Sequence, residues 1–135
     1  MRKLAATASL ALLLLGCENS FREEAVWEGV STSGWVEQLQ DDDVEKRRKA
    51  AEVLGELGPT EADLTVRPLA DALKDTDAHV RLMALKSLEK LAPKASKVQP
   101  AVGRAMNDKN KIIARQAMTT YKAIEMAKPS ALNNN

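Results

Sequence analysis

The chain has 135 residues, 44% hydrophobic and 29% charged, the balance of one folded domain and not of a disordered polymer. Aromatic residues are only 3%, so the core must come from Leu, Val, Ala, Ile and Met, a composition that leans helical. One Cys excludes an intramolecular disulfide framework and a Cys-cluster metal site. One His argues against a His-based metal centre or a Ser-His-Asp triad, and a net charge of +1 is not that of a strong nucleic-acid binder.

In chain order, Arg2 and Lys3 precede an uncharged, mostly apolar run from Leu4 to Gly16. The run falls short of the roughly 20 residues a membrane-spanning helix needs, and has the shape of a secretory h-region. It ends in Leu14-Leu15-Gly16-Cys17, which resembles the bacterial lipobox. The resemblance implies cleavage before Cys17, a diacylglycerol on its thiol and acylation of the new amine. Residues 1–16 are then a cleaved lipoprotein signal, and Cys17 is the membrane anchor. Glu18 after the Cys, in place of Asp, implies by the same resemblance the periplasmic face of the outer membrane in a diderm envelope. Loss of Arg2 and Lys3 takes the net charge from +1 to −1. Residues 17–32 are expected as a lipidated tether or as a short capping helix. Ser20 and Glu23 form a capping-box pattern, and Phe21, Ala25 and Val26 supply an apolar face. Trp27 reads equally as a cap residue or as an exposed contact.

Three windows then align: Leu39–Gly58, Leu73–Ala92 and Met106–Glu125, at offsets of 34 and 33 residues. Shared columns include Asp41/Asp75/Asp108, Asp43/Asp77/Asn110, Ala50/Ala84/Ala117, Leu54/Leu88/Tyr121 and Leu57/Leu91/Ile124, with Trp35/Leu69/Val102 upstream. Each unit reads as two antiparallel helices. The short first helices are predicted at Gly34–Gln40, Leu64–Lys74 and Lys97–Asn107. Asp43, Asp77 and Asn110 are placed to cap the second helices, which carry apolar residues at i, i+4, i+7 and i+8, as in Val80, Ala84, Leu88 and Leu91. Pro59, Pro93 and Pro129 fall just past the second helices and are expected to stop them.

Leu73-Lys-Asp-Thr-Asp-Ala-His-Val-Arg81, with Ala84, Leu88 and Leu91, and the run Ala50-Ala-Glu-Val-Leu-Gly-Glu-Leu-Gly58 resemble short HEAT repeats of the PBS-lyase type. The resemblance spans Trp35 to Glu125. It implies an all-α fold: an α-solenoid of three antiparallel helix pairs, an ARM-type superhelix over residues 33–128. The units are 33–59, 60–93 and 94–128, with 129–135 as a disordered tail. It also implies that Arg47 and Arg81 pair with acidic turn residues of neighbouring units as a structural ladder. Ala114 takes the place of this Arg in the third unit. Leu82 and Met83 widen the apolar face of the middle unit, where the outer units have Arg48/Lys49 and Arg115/Gln116, the contrast expected of a capped array.

Little in the chain points to chemistry. Asp41, Asp42 and Asp43 lack the spaced oxygen ligands, Gly turn and distal Glu of a calcium loop and read as turn and cap residues. His79 has no Cys, Ser or second His at useful spacing. No catalytic residue, metal site, cofactor, small-molecule substrate or nucleic-acid partner is inferred. Charge is polarised instead. Residues 18–58 hold eleven acids against five bases, a net of −6, and residues 92–128 hold eight bases against two acids, a net of +6. The expected function is a non-catalytic, membrane-anchored module that binds another envelope protein. Lys46, Lys49, Lys86, Glu89, Arg115 and Lys122 are its candidate contacts. The competing readings are a structural spacer without a ligand and, from the PBS-lyase resemblance, a bilin-lyase-like accessory. Export of the chain opposes the latter, because such proteins act on cytoplasmic antenna proteins.

Overall fold

A computed structural model describes residues 23–128. The signal, lipobox, Cys17 and Phe21 at one end, and Pro129 and the tail at the other, lie outside the described residues.

The described chain opens with an antiparallel hairpin, neither a tether nor a helix. Strands β1 (Val26–Trp27) and β2 (Val30–Ser31) pair Val26 with Ser31 and Trp27 with Val30. Glu28 (φ 52°) and Gly29 (φ 79°) both take the left-handed conformation that a two-residue hairpin turn of matching twist requires. Glu-Gly is a less obvious form of this signal than Asn-Gly, and the flanking valines suit strands better than a helix. The hairpin is latched to the helix that follows. The Thr32 amide and hydroxyl both donate to the Ala25 carbonyl (3.0 and 3.2 Å), Ser33 N–H donates to the Glu24 carboxylate (2.8 Å), and Trp35 Nε1 donates to the Trp27 carbonyl (3.2 Å). Trp27 is 39% exposed, whereas Trp35 is buried in the core.

Helix α1 (Thr32–Gln38) starts earlier than its apolar residues suggest, because Ser31 caps it by accepting from Gly34 N–H. Helix α2 (Val44–Asp71) joins the second helix of unit one to the first helix of unit two. Pro59 therefore does not stop the helix. Its ring removes one N–H from the ladder, and Glu61 two residues on leaves helical geometry (φ −121°, ψ 31°). Thr60 Oγ1 donates to the Leu57 carbonyl (2.9 Å) at the bend, and the helix then resumes. A 3₁₀ turn at Ala72–Lys74 leads to α3 (Ala78–Lys90). Pro93 sits in a 3₁₀ turn directly after α3, and a second 3₁₀ turn, Ser96–Val98, precedes α4 (Gln99–Ala105) and α5 (Lys111–Met126).

The second helices stack on one another, α2 on α3 and α3 on α5, while α1 packs on α2 and α4 on α5. The result is an all-α stack of helix pairs. Its core is the set of repeated columns: Ala50, Ala84 and Ala117 are fully buried, and Leu54, Leu69, Leu88, Val102 and Ile124 are equally buried. No described helix is long and apolar enough to cross a membrane.

A polar register runs through this core. Ser87 Oγ donates to the Ala51 carbonyl (2.7 Å) and Thr120 Oγ1 to the Leu85 carbonyl (3.1 Å), so each buried hydroxyl ties its helix to the preceding second helix. Gly55 makes the first contact feasible, because a Cβ there would stand 2.3 Å from Ser87 Oγ and 2.8 Å from Ser87 Cβ. At Gly103, a Cβ would meet only Tyr121 at 3.5 Å, an ordinary contact. The two glycines should respond oppositely in urea unfolding. Gly55→Ala overpacks the α2–α3 contact and costs about 1–3 kcal/mol, while Gly103→Ala gains up to about 1 kcal/mol of helix propensity.

Candidate interaction surface

The surface is laid out by the turns between helices. In each turn the leading Asp folds the loop by accepting from the residue two on: Asp41 from Asp43 N–H (2.9 Å), Asp75 from Asp77 (2.8 Å) and Asp108 from Asn110 (2.8 Å). The third position then caps the next helix. Asp43 accepts from Glu45 N–H (2.9 Å), Asp77 from Val80 (3.0 Å) and Asn110 from Ile112 (3.0 Å).

An Arg one turn into the second helix joins each loop to the next. Arg47 donates from one terminal nitrogen to the carbonyls of Asp41 and Asp42 (2.8 and 3.1 Å) and forks onto Asp75 with Nε and Nη2 (2.9 and 3.3 Å). Arg81 repeats the pattern, donating to the Asp75 and Thr76 carbonyls (2.8 and 3.2 Å) and forking onto Asp108 (2.8 and 3.2 Å). The planar fork of Arg suits both tasks, which Lys could not perform together. Ala114 carries no such group, so the third unit does not extend the ladder.

Arg48 forms a second bridge that the sequence columns conceal. It forks onto Asp77 (3.0 and 2.8 Å) and reaches Glu45 (2.6 Å). One unit on, the corresponding pair is Leu82 and uncharged Asn110, so the carboxylate and its cation are replaced together. The Arg48 guanidinium holds the Asp77 carboxyl far below the usual carboxylate range, and Arg81 likewise lowers Asp108. Arg47 and Arg48 are raised in turn, chiefly by their hydrogen bonds to Asp75 and Asp77 respectively.

The structure separates the six candidate contacts. Lys46 pairs with Asp41 (3.0 Å), Lys49 with Glu28 (3.4 Å), and half-buried Glu89 accepts from Gln116 Nε2 (2.6 Å). Lys86, Arg115 and Lys122 are exposed and make no ion pair among the described residues. On α5, Lys111, Arg115, Met118 and Lys122 follow i, i+4, i+7 and i+11 spacing and so share one stripe. Met118 is 50% exposed, whereas Ala51 and Leu85 in its column are covered by the next second helix. His79 is exposed at the start of α3, and no group of three His, Cys, Asp or Glu gathers as a metal set among the described residues.

The Arg81–Asp108 side chains are only 9% and 10% exposed. Removal of the Arg strands a buried carboxylate and two turn carbonyls, so Arg81→Ala should cost about 3–5 kcal/mol in urea unfolding at pH 7. Asp108 is more acidic folded than unfolded. Its pairing therefore stabilises above the unfolded value of about pH 4 and is lost as pH falls through the folded one. Accordingly, the gap between wild type and Arg81→Ala narrows in titrations below about pH 4.

A family model for HEAT repeats matches residues 32–122. No curated protein matches the chain. HEAT repeats generally mediate protein–protein interaction, and the family is generally a non-catalytic scaffold. With the stacked pairs, the matched turns and two thirds of its length under one family model, the chain belongs to the HEAT-repeat family.

Proposed function

We propose that the chain is a lipid-anchored HEAT-repeat module, without catalysis of its own, that holds a protein partner at the bacterial cell envelope. The observation that carries the binding half is the division of charged side chains. Arg47, Arg48 and Arg81 are spent inside the stack, while Lys86 stands uncommitted on α3 and Arg115 and Lys122 on α5, the last two in one stripe with exposed Met118. Mixed basic and apolar side chains on a rigid helix face suit a partner with acidic and apolar groups. The anchoring half rests on the basic start, the apolar run and Leu14-Leu15-Gly16-Cys17. Several acyl chains on Cys17 would hold the module at a membrane stably, where one chain would not. Glu18 fits placement at the outer membrane of a diderm cell.

Two measurements check this reading. Cys17→Ser should leave residues 1–16 uncleaved and abolish incorporation of labelled palmitate; unchanged processing and labelling would overturn the anchor. Crosslinking in intact cells should capture a partner protein. Lys86→Glu, Arg115→Glu and Lys122→Glu together should cut that capture at least tenfold with helix content unchanged, and undiminished capture would remove this face from the proposal.

A further inference from the structure

The first helices form a surface of their own. Where residues 62–71 of α2 pass the 94–105 segment, the facing side chains are small, with Ala62, Val66 and Ala70 set against Val98, Pro100 and Ala101. Helical segments with alanines between them leave an open trough of about 510 Å³. It continues past Ala70, Ala101 and Arg104 into a second hollow that reaches Lys74 and Asn107.

The rim is cationic. Arg67, Lys94, Lys97 and Arg104 line the trough, all are exposed, and none makes an ion pair among the described residues. The carboxylates of the lining, Asp63 and Asp71, both stand on the α2 wall, so the opposite wall carries cations only. The surrounding sequence does not offset them. Asp108 and Glu125, the two acids of residues 92–128, are bound to Arg81 and to Lys128.

We propose that this trough docks an extended acidic segment of a partner protein. Carboxylates of the segment meet Arg67, Lys94, Lys97 and Arg104, and an intervening apolar side chain rests on Ala70 and Ala101. At about 1.5 Å per helical residue the 62–71 wall is some 15 Å long, which accommodates four to five extended residues at about 3.3 Å each. Alternation of side chains along such a segment sends one set to the rim and the other to the floor. A bilayer surface would reach the rim cations but not the recessed alanines, and no aromatic side chain lines the trough to stack a nucleic-acid base. The inference rests on the reading of the chain as a protein-binding module and adds a second face to it.

The test uses the full chain in non-ionic detergent and a fluorescein-labelled octapeptide of alternating Glu and Leu. Saturable binding that weakens with salt is expected, with amide shifts at Ala70 and Ala101 by NMR. Lys94→Glu, Lys97→Glu and Arg104→Glu together should weaken binding at least tenfold. Reversal of Lys86, Arg115 and Lys122 to Glu should leave it within twofold. No saturable binding, equal loss in both triple variants, or binding of phosphatidylglycerol vesicles through the three groove cations without peptide binding overturns the proposal. Capture of an envelope partner that persists undiminished in the groove variant also overturns it and leaves the module reading standing. Specific peptide binding with no partner captured in cells instead defeats the module reading alone.

Discussion

Everything in this stack depends on the Arg that serves two turns at once. A single helix pair of some 34 residues has one apolar face and nothing to bury it against, so it must borrow a neighbour. Hydrophobic contact supplies the attraction but is non-directional and would tolerate sliding of one pair on the next. Arg47 and Arg81 remove that freedom. Each guanidinium is satisfied by carbonyls of its own turn and by the carboxylate that folds the following one. Turn conformation and inter-unit register thus become the same interaction. A buried ion pair adds little net stability over apolar packing, and its better-attested use is the setting of register.

The buried hydroxyls of Ser87 and Thr120 fix the same register from the other side of the second helices. One polar link lies at the turns and one in the core, with the alanine column between them. Small side chains are required there because longer ones would push the helices beyond the reach of both links. The scarcity of aromatic residues follows from this geometry. Trp35, the one indole in the repeat columns, sits in the first unit, where the hairpin accepts its indole N–H and no earlier helix pair packs against it among the described residues.

Helix pairs, period and core columns were legible in the sequence because each is a local pattern repeated in place. What was hidden depends on partners across a unit boundary or on turn chemistry. Arg48 shares its column with Leu82 and Arg115 and looks like surface variation until Asp77 is seen beside it. Ser87 and Thr120 appear as ordinary polar residues in amphipathic helices, and only the close approach at Gly55 reveals the carbonyl that receives the first of them. The hairpin was missed because Glu28 adopts a positive φ that its residue type does not advertise. Pro59 misled in the opposite direction. A proline breaks the hydrogen-bond ladder locally, yet packing of both flanking segments carried the helix past it with a bend. Helical position alone marks six second-helix residues as candidate contacts. Position cannot say that Lys46 and Lys49 already have carboxylates within reach while Lys86, Arg115 and Lys122 do not.

This division of charge decides what a partner meets. A net charge of +1 over the chain describes no point on its surface. In the first unit, cations face carboxylates of their own turn, the next turn or the hairpin, so much of the field is cancelled at contact distance. In the last unit, both acids are already bound, and the remaining cations apart from Lys109 lie along α5 and around the trough by α4. Successive second helices sit about 8–10 Å apart, so the acidic and basic ends are separated by roughly two Debye lengths at physiological salt. A molecule approaching the distal end therefore encounters the basic group with little relief from the acids at the other end. If Cys17 holds the acidic end toward a membrane, the basic end is the part displayed to approaching proteins. Polarity along the stack would then orient the partner as well as attract it.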